Sequence, residues 1–290
     1  MDFVTTDSVR LHYETRGNGL PLYVCHGGPS TTYDYLVKDL EPLESDCRIV
    51  YHDYRGSGRS EVASPETYRF DRLGDDLNEL RMHLGDRSIA VLAHSMGGLV
   101  ALNFALRQPE ACNKLVLLSV TPGGSVRDLA LPALRALGAY RLMKMLGRAL
   151  VYATIWRWRA DSPQKTQARF SIMGTMQEPK RGMREAVRAR ETLSQNDNAS
   201  HLERLGFATD LRPGLSRIMC PALVIFGTRD ALFAASAPLL QRGIAEAQLL
   251  PLEGVGHHPL VESPGVVLPA VAKFVRDANG GASRTTRGSN

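Results

Sequence analysis

The 290-residue sequence predicts an α/β fold: a mostly parallel sheet flanked by helices, with a helical insertion between two of its strands. Three observations carry that prediction. Short, continuously apolar runs read as strands buried on both faces. They alternate with longer segments whose apolar residues recur at helical spacing, the order that places helices over a parallel sheet. Roughly ninety residues in the middle of the chain lack convincing strand signals, after which the alternation resumes.

Taken in order, residues 9–15 (VRLHYET) alternate and pair with the preceding FVTT as a hairpin at a sheet edge. LPLYVC (20–25) is a buried strand ending in HGGPS. TTYDYLVKDLEPL follows as a helix, then CRIVYHD as a strand ending in the glycine-rich turn YRGSGRS. FDRLGDDLNELRMHL is an amphipathic helix. SIAVLA (88–93) is the next strand, GGLVALNFALR (97–107) a helix stopped by Gln108-Pro109, and KLVLLSV (114–120) another strand. At residues 121–124 (TPGG) the rhythm stops. Residues 122–213, rich in Leu, Ala, Met and Arg and containing WRWRAD, read as a helical lid roofing the site. A separate helical domain is the alternative, disfavoured because CPALVIFG (220–227), APLLQRGIAEA, AQLLPLEG and PGVVLPAVAKFVRDA continue the strand-helix order. The expected organisation is a core of 1–121 and 214–278, a lid of 122–213 and a tail, 279–290, of disordered composition.

Composition excludes several classes. No apolar stretch is long enough to span a membrane, and MDFVTTDSVRLHYETRG is too polar for a secretion signal, so a cytoplasmic location is expected. Cys25, Cys47, Cys112 and Cys220 have no paired spacing and read as buried free thiols; no metal site and no cofactor is expected. The net charge of +5 comes from one segment: residues 122–213 hold sixteen of the 35 Lys/Arg and eight of the 30 Asp/Glu, leaving nineteen against twenty-two elsewhere. Those basic residues are interleaved with apolar ones at helical spacing, as on a solvated helix face, and no nucleic-acid motif accompanies them.

The chemistry centres on VLAHSMGGLV (91–100). Ser95 sits where a strand turns directly into a helix, and Ala93 and Gly97, two residues to either side, permit a turn sharp enough to strain the serine and expose its oxygen. Such a hydroxyl needs a base, a carboxylate to orient that base and donors for an oxyanion. Asp230, just past the strand that ends at Phe226, is the candidate carboxylate, with a turn or cap aspartate as its bland reading. EGVGHHPLVESP then offers two histidines, His257 and His258, in a glycine-flanked loop after the next strand.

Together HGGP, DYRGSGRS, AHSMGG, GTRD and GHHPLVESP, in this order from about residue 3 to 278, resemble the α/β-hydrolase superfamily. The resemblance implies the α/β-hydrolase fold and acyl transfer through an acyl-enzyme on Ser95. The pattern G-H-x-P-x-x-E-x-P, matched by Gly256, His257, Pro259, Glu262 and Pro264, makes His257 the base and Asp230 its partner. It also implies oxyanion donors from the backbone of Met96 and Gly28. His26 is expected to brace the oxyanion loop, His94 to point away from the Ser95 oxygen, and Asp53 and Arg55 to support a loop beneath the site. Trp156 and Trp158, two apart on a helix, cannot both face inward. His12, His83 and His201 receive no role.

The expected substrate is a small ester, thioester, lactone or amide, handled by a monomer or homodimer. HGGP resembles the proline iminopeptidase branch, although that branch usually continues HGGPG where this chain has Ser30, and carries GGSWGS at the elbow where this chain has AHSMGG. Its lid glutamates, which hold a free amino terminus, have Glu178, Glu185, Glu191 and Glu203 as candidates here. Acyl transfer or cyclisation in a biosynthetic pathway, and a ligand-receptor role that keeps the triad, are the remaining alternatives.

Overall fold

The computed structural model describes residues 1–28, 31–124, 126–156 and 199–277, and in between residues 158–159, 165, 168, 171–172, 174–175, 177, 179–180 and 182–188. Eight strands form one sheet: β1 Asp2–Val4, β2 Arg10–Arg16, β3 Leu20–Cys25, β4 Cys47–His52, β5 Ile89–His94, β6 Cys112–Leu118, β7 Ala222–Gly227 and β8 Ala247–Leu252. Their order is β1-β2-β4-β3-β5-β6-β7-β8. The β1/β2 hairpin, registered with Phe3 opposite Leu11, joins β4 antiparallel; every other pairing is parallel.

Nine helices are described: α1 Asp34–Leu40, α2 Phe70–His83, α3 Gly97–Arg107, α4 Val126–Val151, α5 Arg184–Arg188, α6 Ala199–Ala208, α7 Ala231–Gly243, α8 Pro259–Glu262 and α9 Pro264–Arg276. The strand period of two explains why the central strands are apolar throughout. In β5, Val91 and Ala93 pack with Leu73, Leu77 and Phe104 of α2 and α3, whereas Ala90 and Leu92 pack with Leu36 and Leu40 of α1 and Val271 and Phe274 of α9. β3 and β6 divide in the same way, with Tyr23 and Leu115 on one side and Val24 and Val116 on the other. Helix α1 is shorter than the sequence suggests, because Pro42 supports a separate 3-10 turn at Glu41–Leu43.

From β3 the chain crosses to β4 on one side, and β5 then lies on the other. The carboxyl ends of β3 and β5 therefore flank the point where strand order reverses, the position at which open α/β sheets bind ligands. The loop beginning His26-Gly27-Gly28 leaves β3 there, and Ser95 leaves β5.

Between β6 and β7 the chain leaves and re-enters the sheet through one neck, in which the Gly124 N–H donates to the Thr209 carbonyl and the Leu211 N–H to that of Pro122, at 2.8 and 2.9 Å. Helices are the main regular elements among the described residues of this insertion, beside isolated bridges at Gly123 and Gln177. Helix α4 is broken at Gly138, whose φ of 71° lies outside the helical region. Ala133 and Leu137 pack on Ala231 at the start of α7, tying the insertion to the sheet. The expected disordered tail, 279–290, lies outside the described residues.

Candidate active site

Ser95 has the strained geometry that its position predicts. Its φ is 54°, left-handed for a residue with a side chain, and its N–H donates to the Leu118 carbonyl of β6 at 3.0 Å, holding the turn on the sheet. Gly97 also lets α3 approach the end of β3: a Cβ there would stand 2.2 Å from the Cys25 carbonyl oxygen and 2.5 Å from that of His26.

The structure brings Ser95, Asp230 and His257 together from three strand ends. His257 Nε2 lies 2.9 Å from Ser95 Oγ, and His257 Nδ1 lies 2.7 Å from Asp230 Oδ2. Asp230 is fully buried and His257 nearly so. A carboxylate only accepts, so the His257 proton sits on Nδ1 and Nε2 is left to accept the Ser95 hydroxyl. His258, the other histidine of the loop, has its ring centred 5.4 Å from that of His257. Of the two histidines, His257 is the one that stands between Ser95 Oγ and Asp230.

Glu262 holds the loop that carries this base. Its buried carboxylate accepts the N–H of Gly256 at 2.8 Å and of His258 at 3.0 Å, one on each side of His257, and a third N–H from Lys180 in the insertion. The motif glutamate is visible in the sequence; its partners are not.

Gly28 and Met96, the expected oxyanion donors, lie in the two segments that flank Ser95. Gly28 has a φ of 72°, a conformation that costs glycine little, directly after the segment that packs on Ser95. A Cβ on Gly27 would lie 3.0 Å from Ser95 Cβ. Met96 is the residue at the mouth of α3, where the helix dipole favours negative charge. Pro29 and Ser30 lie outside the described residues.

The supporting residues match their expected places. His26 donates from Nδ1 to the Gly27 carbonyl at 2.8 Å and stacks on Tyr54, whose hydroxyl donates to the His26 carbonyl at 2.9 Å, so it braces the loop. His94 turns away from Ser95 Oγ: its Nε2 meets the His257 main-chain oxygen and its Nδ1 meets Tyr35 Oη. Asp53 accepts the Arg59 backbone N–H and Nε–H at 3.0 and 3.1 Å. Fully buried Arg55 pairs with Asp76 and Asp7 at 2.6 to 3.1 Å. The hydrogen bonds of Arg55 are the main cause holding the Asp7 carboxyl far below the usual carboxylate range.

Sequence reasoning passes over Tyr35 and His52. Burial pulls the His52 pKa down to about 3, leaving a neutral ring edge-on to Tyr54 beneath the oxyanion loop. His12 pairs with Asp2, His83 stacks on Phe3 and His201 lies edge-on to Tyr68. Trp158 is exposed; the Trp156 side chain lies outside the described residues. Of the insertion glutamates, Glu178 and Glu191 lie outside them too, while Glu185 lies in α5 and Glu203 in α6. Among the described residues no group of three His, Cys, Asp or Glu is arranged to hold a metal, and no helix is long and apolar enough to cross a membrane.

The family model of the alpha/beta hydrolase fold matches residues 21–264. The chain is an α/β-hydrolase. Among curated relatives, this hydrolase is 26% identical over 278 residues to RutD of Rhizobium rhizogenes, named as a carbamate hydrolase, covering 92% of this chain and 98% of that protein. It is 25% identical over 280 residues to a proline iminopeptidase of Saccharolobus solfataricus, covering 91% and 87%. Among solved structures, the esterase RhEst1 from Rhodococcus superposes with a TM-score of 0.74 at 19% identity, covering 96% of this chain and 98% of that one, a likeness of fold. The family and its enzyme relatives make the protein a hydrolytic enzyme.

Proposed function

We propose that this α/β-hydrolase is a serine hydrolase cleaving an ester, thioester, lactone or amide bond of a small molecule through an acyl-enzyme on Ser95. The observation that carries the reading is the unbroken line from Ser95 Oγ through His257 to buried Asp230, at 2.9 and 2.7 Å, on a serine with a φ of 54°.

In this mechanism His257 Nε2 takes the Ser95 proton as Oγ attacks the acyl carbon. Asp230 keeps the imidazole in the required tautomer and stabilises the imidazolium. The carbonyl oxygen, now negative, is held by the N–H groups of Gly28 and Met96; losing one such donor costs on the order of a hundredfold or more in rate. Collapse breaks the bond to the leaving group, which receives the proton from His257. Water, deprotonated by the same nitrogen, then attacks the acyl carbon and frees Ser95.

Residues 122–213 serve in this reading as a lid over Ser95, and their helices supply the substrate's surroundings. Four buried free thiols suit a reducing cytoplasm. Prolyl aminopeptidase activity is the second reading, favoured by the HGGP loop and by a relative of that name.

A panel of p-nitrophenyl esters, lactones, acyl thioesters and prolyl arylamides tests the assignment. Turnover of acyl esters or lactones well above that of prolyl arylamides is expected. Preference for the arylamide moves the protein to the aminopeptidase reading, and inertness towards every acyl donor contradicts both.

A further inference from the structure

Both ring nitrogens of His94, the residue before the nucleophile, are committed to partners far away in the chain. Nε2 lies 2.9 Å from the main-chain oxygen of His257, and Nδ1 lies 2.7 Å from Tyr35 Oη. Tyr35 Oη is in turn 2.8 Å from the amide nitrogen of Gly27. Four groups therefore form one line, and elementary valence fixes its direction. A carbonyl oxygen only accepts, so Nε2 of His94 carries the proton. Burial, reinforced by the neighbouring His257 and His258, drives the His94 pKa well below its ordinary value, so the ring is neutral and Nδ1 is a bare acceptor. Tyr35 must then donate its single proton to Nδ1. Burial raises the Tyr35 pKa, which keeps that proton on the phenol. The remaining Tyr35 lone pairs accept the Gly27 N–H.

We infer that His94 and Tyr35 are positioning residues, setting the oxyanion loop and the base loop against each other through one directed line of hydrogen bonds behind Ser95. One end holds Gly27, which precedes the Gly28 donor. The other holds the backbone of His257, whose ring must stay 2.9 Å from Ser95 Oγ. The sheet makes the line possible: Tyr35 lies in α1 above β3, and His94 ends β5 directly beside it. The other tautomer of His94 sets a bare Nε2 lone pair against the His257 carbonyl oxygen and turns Tyr35 Oη into an acceptor, leaving the phenol proton without His94 as its partner. All three side-chain and main-chain partners are buried, so water does not replace what is lost.

The inference rests on the acyl-enzyme reading for its effect on rate, but its geometry is testable without turnover. A long-range 15N–1H correlation spectrum of histidine-labelled enzyme at neutral pH is expected to give His94 as the neutral Nε2–H tautomer; an Nδ1–H ring or an imidazolium overturns the line. In kinetics, Tyr35→Phe is expected to lower kcat for a p-nitrophenyl ester by about a hundredfold, the cost of an ångström-scale misplacement, with KM little changed. His94→Gln, whose amide both donates and accepts, should recover most of what His94→Phe loses, and adding Tyr35→Phe to His94→Phe should cost nothing further, since both cut one line. A wild-type kcat in Tyr35→Phe, or losses that add, contradicts the proposal. An enzyme inert to all acyl donors sinks the reading of function instead, and the tautomer alone then judges the line.

Discussion

At the carboxyl edge of the sheet, the backbone around His257 is tied on every side: the N–H groups of Gly256 and His258 to Glu262, the carbonyl of His257 to His94. In the insertion between β6 and β7, α4 leaves Tyr140, Met143, Leu146 and Leu150 exposed, and its interior is interrupted at Gly138. One region spends its polar groups on holding a few atoms within tenths of an ångström. The other presents apolar and basic surface on helices that meet the rest of the fold through the neck, the Ala133/Leu137 cluster on Ala231, Leu202 in the core and single contacts such as Lys180 on Glu262. In the proposed reading, the contrast places reaction type in the first region and selectivity in the second, as one fold serving many substrates would have it.

The largest effect that sharpens this contrast is loss of the nucleophile or its base. Ser95→Ala and His257→Ala are each expected to lower kcat by about a millionfold, because the two act as a unit. His258→Ala should retain most activity; a collapse equal to that of His257→Ala would contradict the 2.9 Å assignment. Glu262→Gln comes next. It puts an amide where three N–H groups need acceptors, and an expected drop of about tenfold in kcat should accompany a loss of about 1–3 kcal/mol in urea-melt stability. Stability without any change in rate would make Glu262 a fold residue only.

Effects from the insertion should be smaller and should appear in KM. If its excess of Lys/Arg draws anionic acyl substrates, kcat/KM for a charged ester falls with added salt while that of a neutral ester does not. Equal salt responses would reduce the charge to ordinary helix surface.

The smallest effect concerns Asp7. Its folded pKa is depressed by Arg55, so its carboxylate adds stability above the unfolded value of about 4, and that stability drains away as pH falls towards the folded value. Asp7→Asn should therefore unfold at lower urea than wild type near neutrality, with the gap narrowing on acidification. Parallel urea midpoints across the range would contradict the pairing.

Much of the site is legible in the sequence because each part is a local motif at a strand end. Ser95 needs only the strand, the turn and its small neighbours; a carboxylate and a pair of histidines are offered by their places after β7 and β8, and the choice of His257 over His258 comes from the resemblance. What holds them is not legible. His94 meets partners 59 and 163 positions away, and only the sheet order brings β3, β5 and the loop after β8 together. Tyr35 reads as an ordinary helix residue, since nothing local marks a phenol that will meet a glycine amide. In the insertion, periodicity reveals helices but not their path, because apolar residues that stay exposed look in sequence like residues that pack. Trp158 is the clearest instance.

The most direct test is intact-mass analysis after treatment with a fluorophosphonate, on wild type and Ser95→Ala. One adduct on the folded wild type and none on the variant is the predicted result, since only a serine activated by His257 and Asp230 reacts readily. An unlabelled wild type, or an adduct that persists in Ser95→Ala, would contradict the claim that this line of three residues makes the nucleophile.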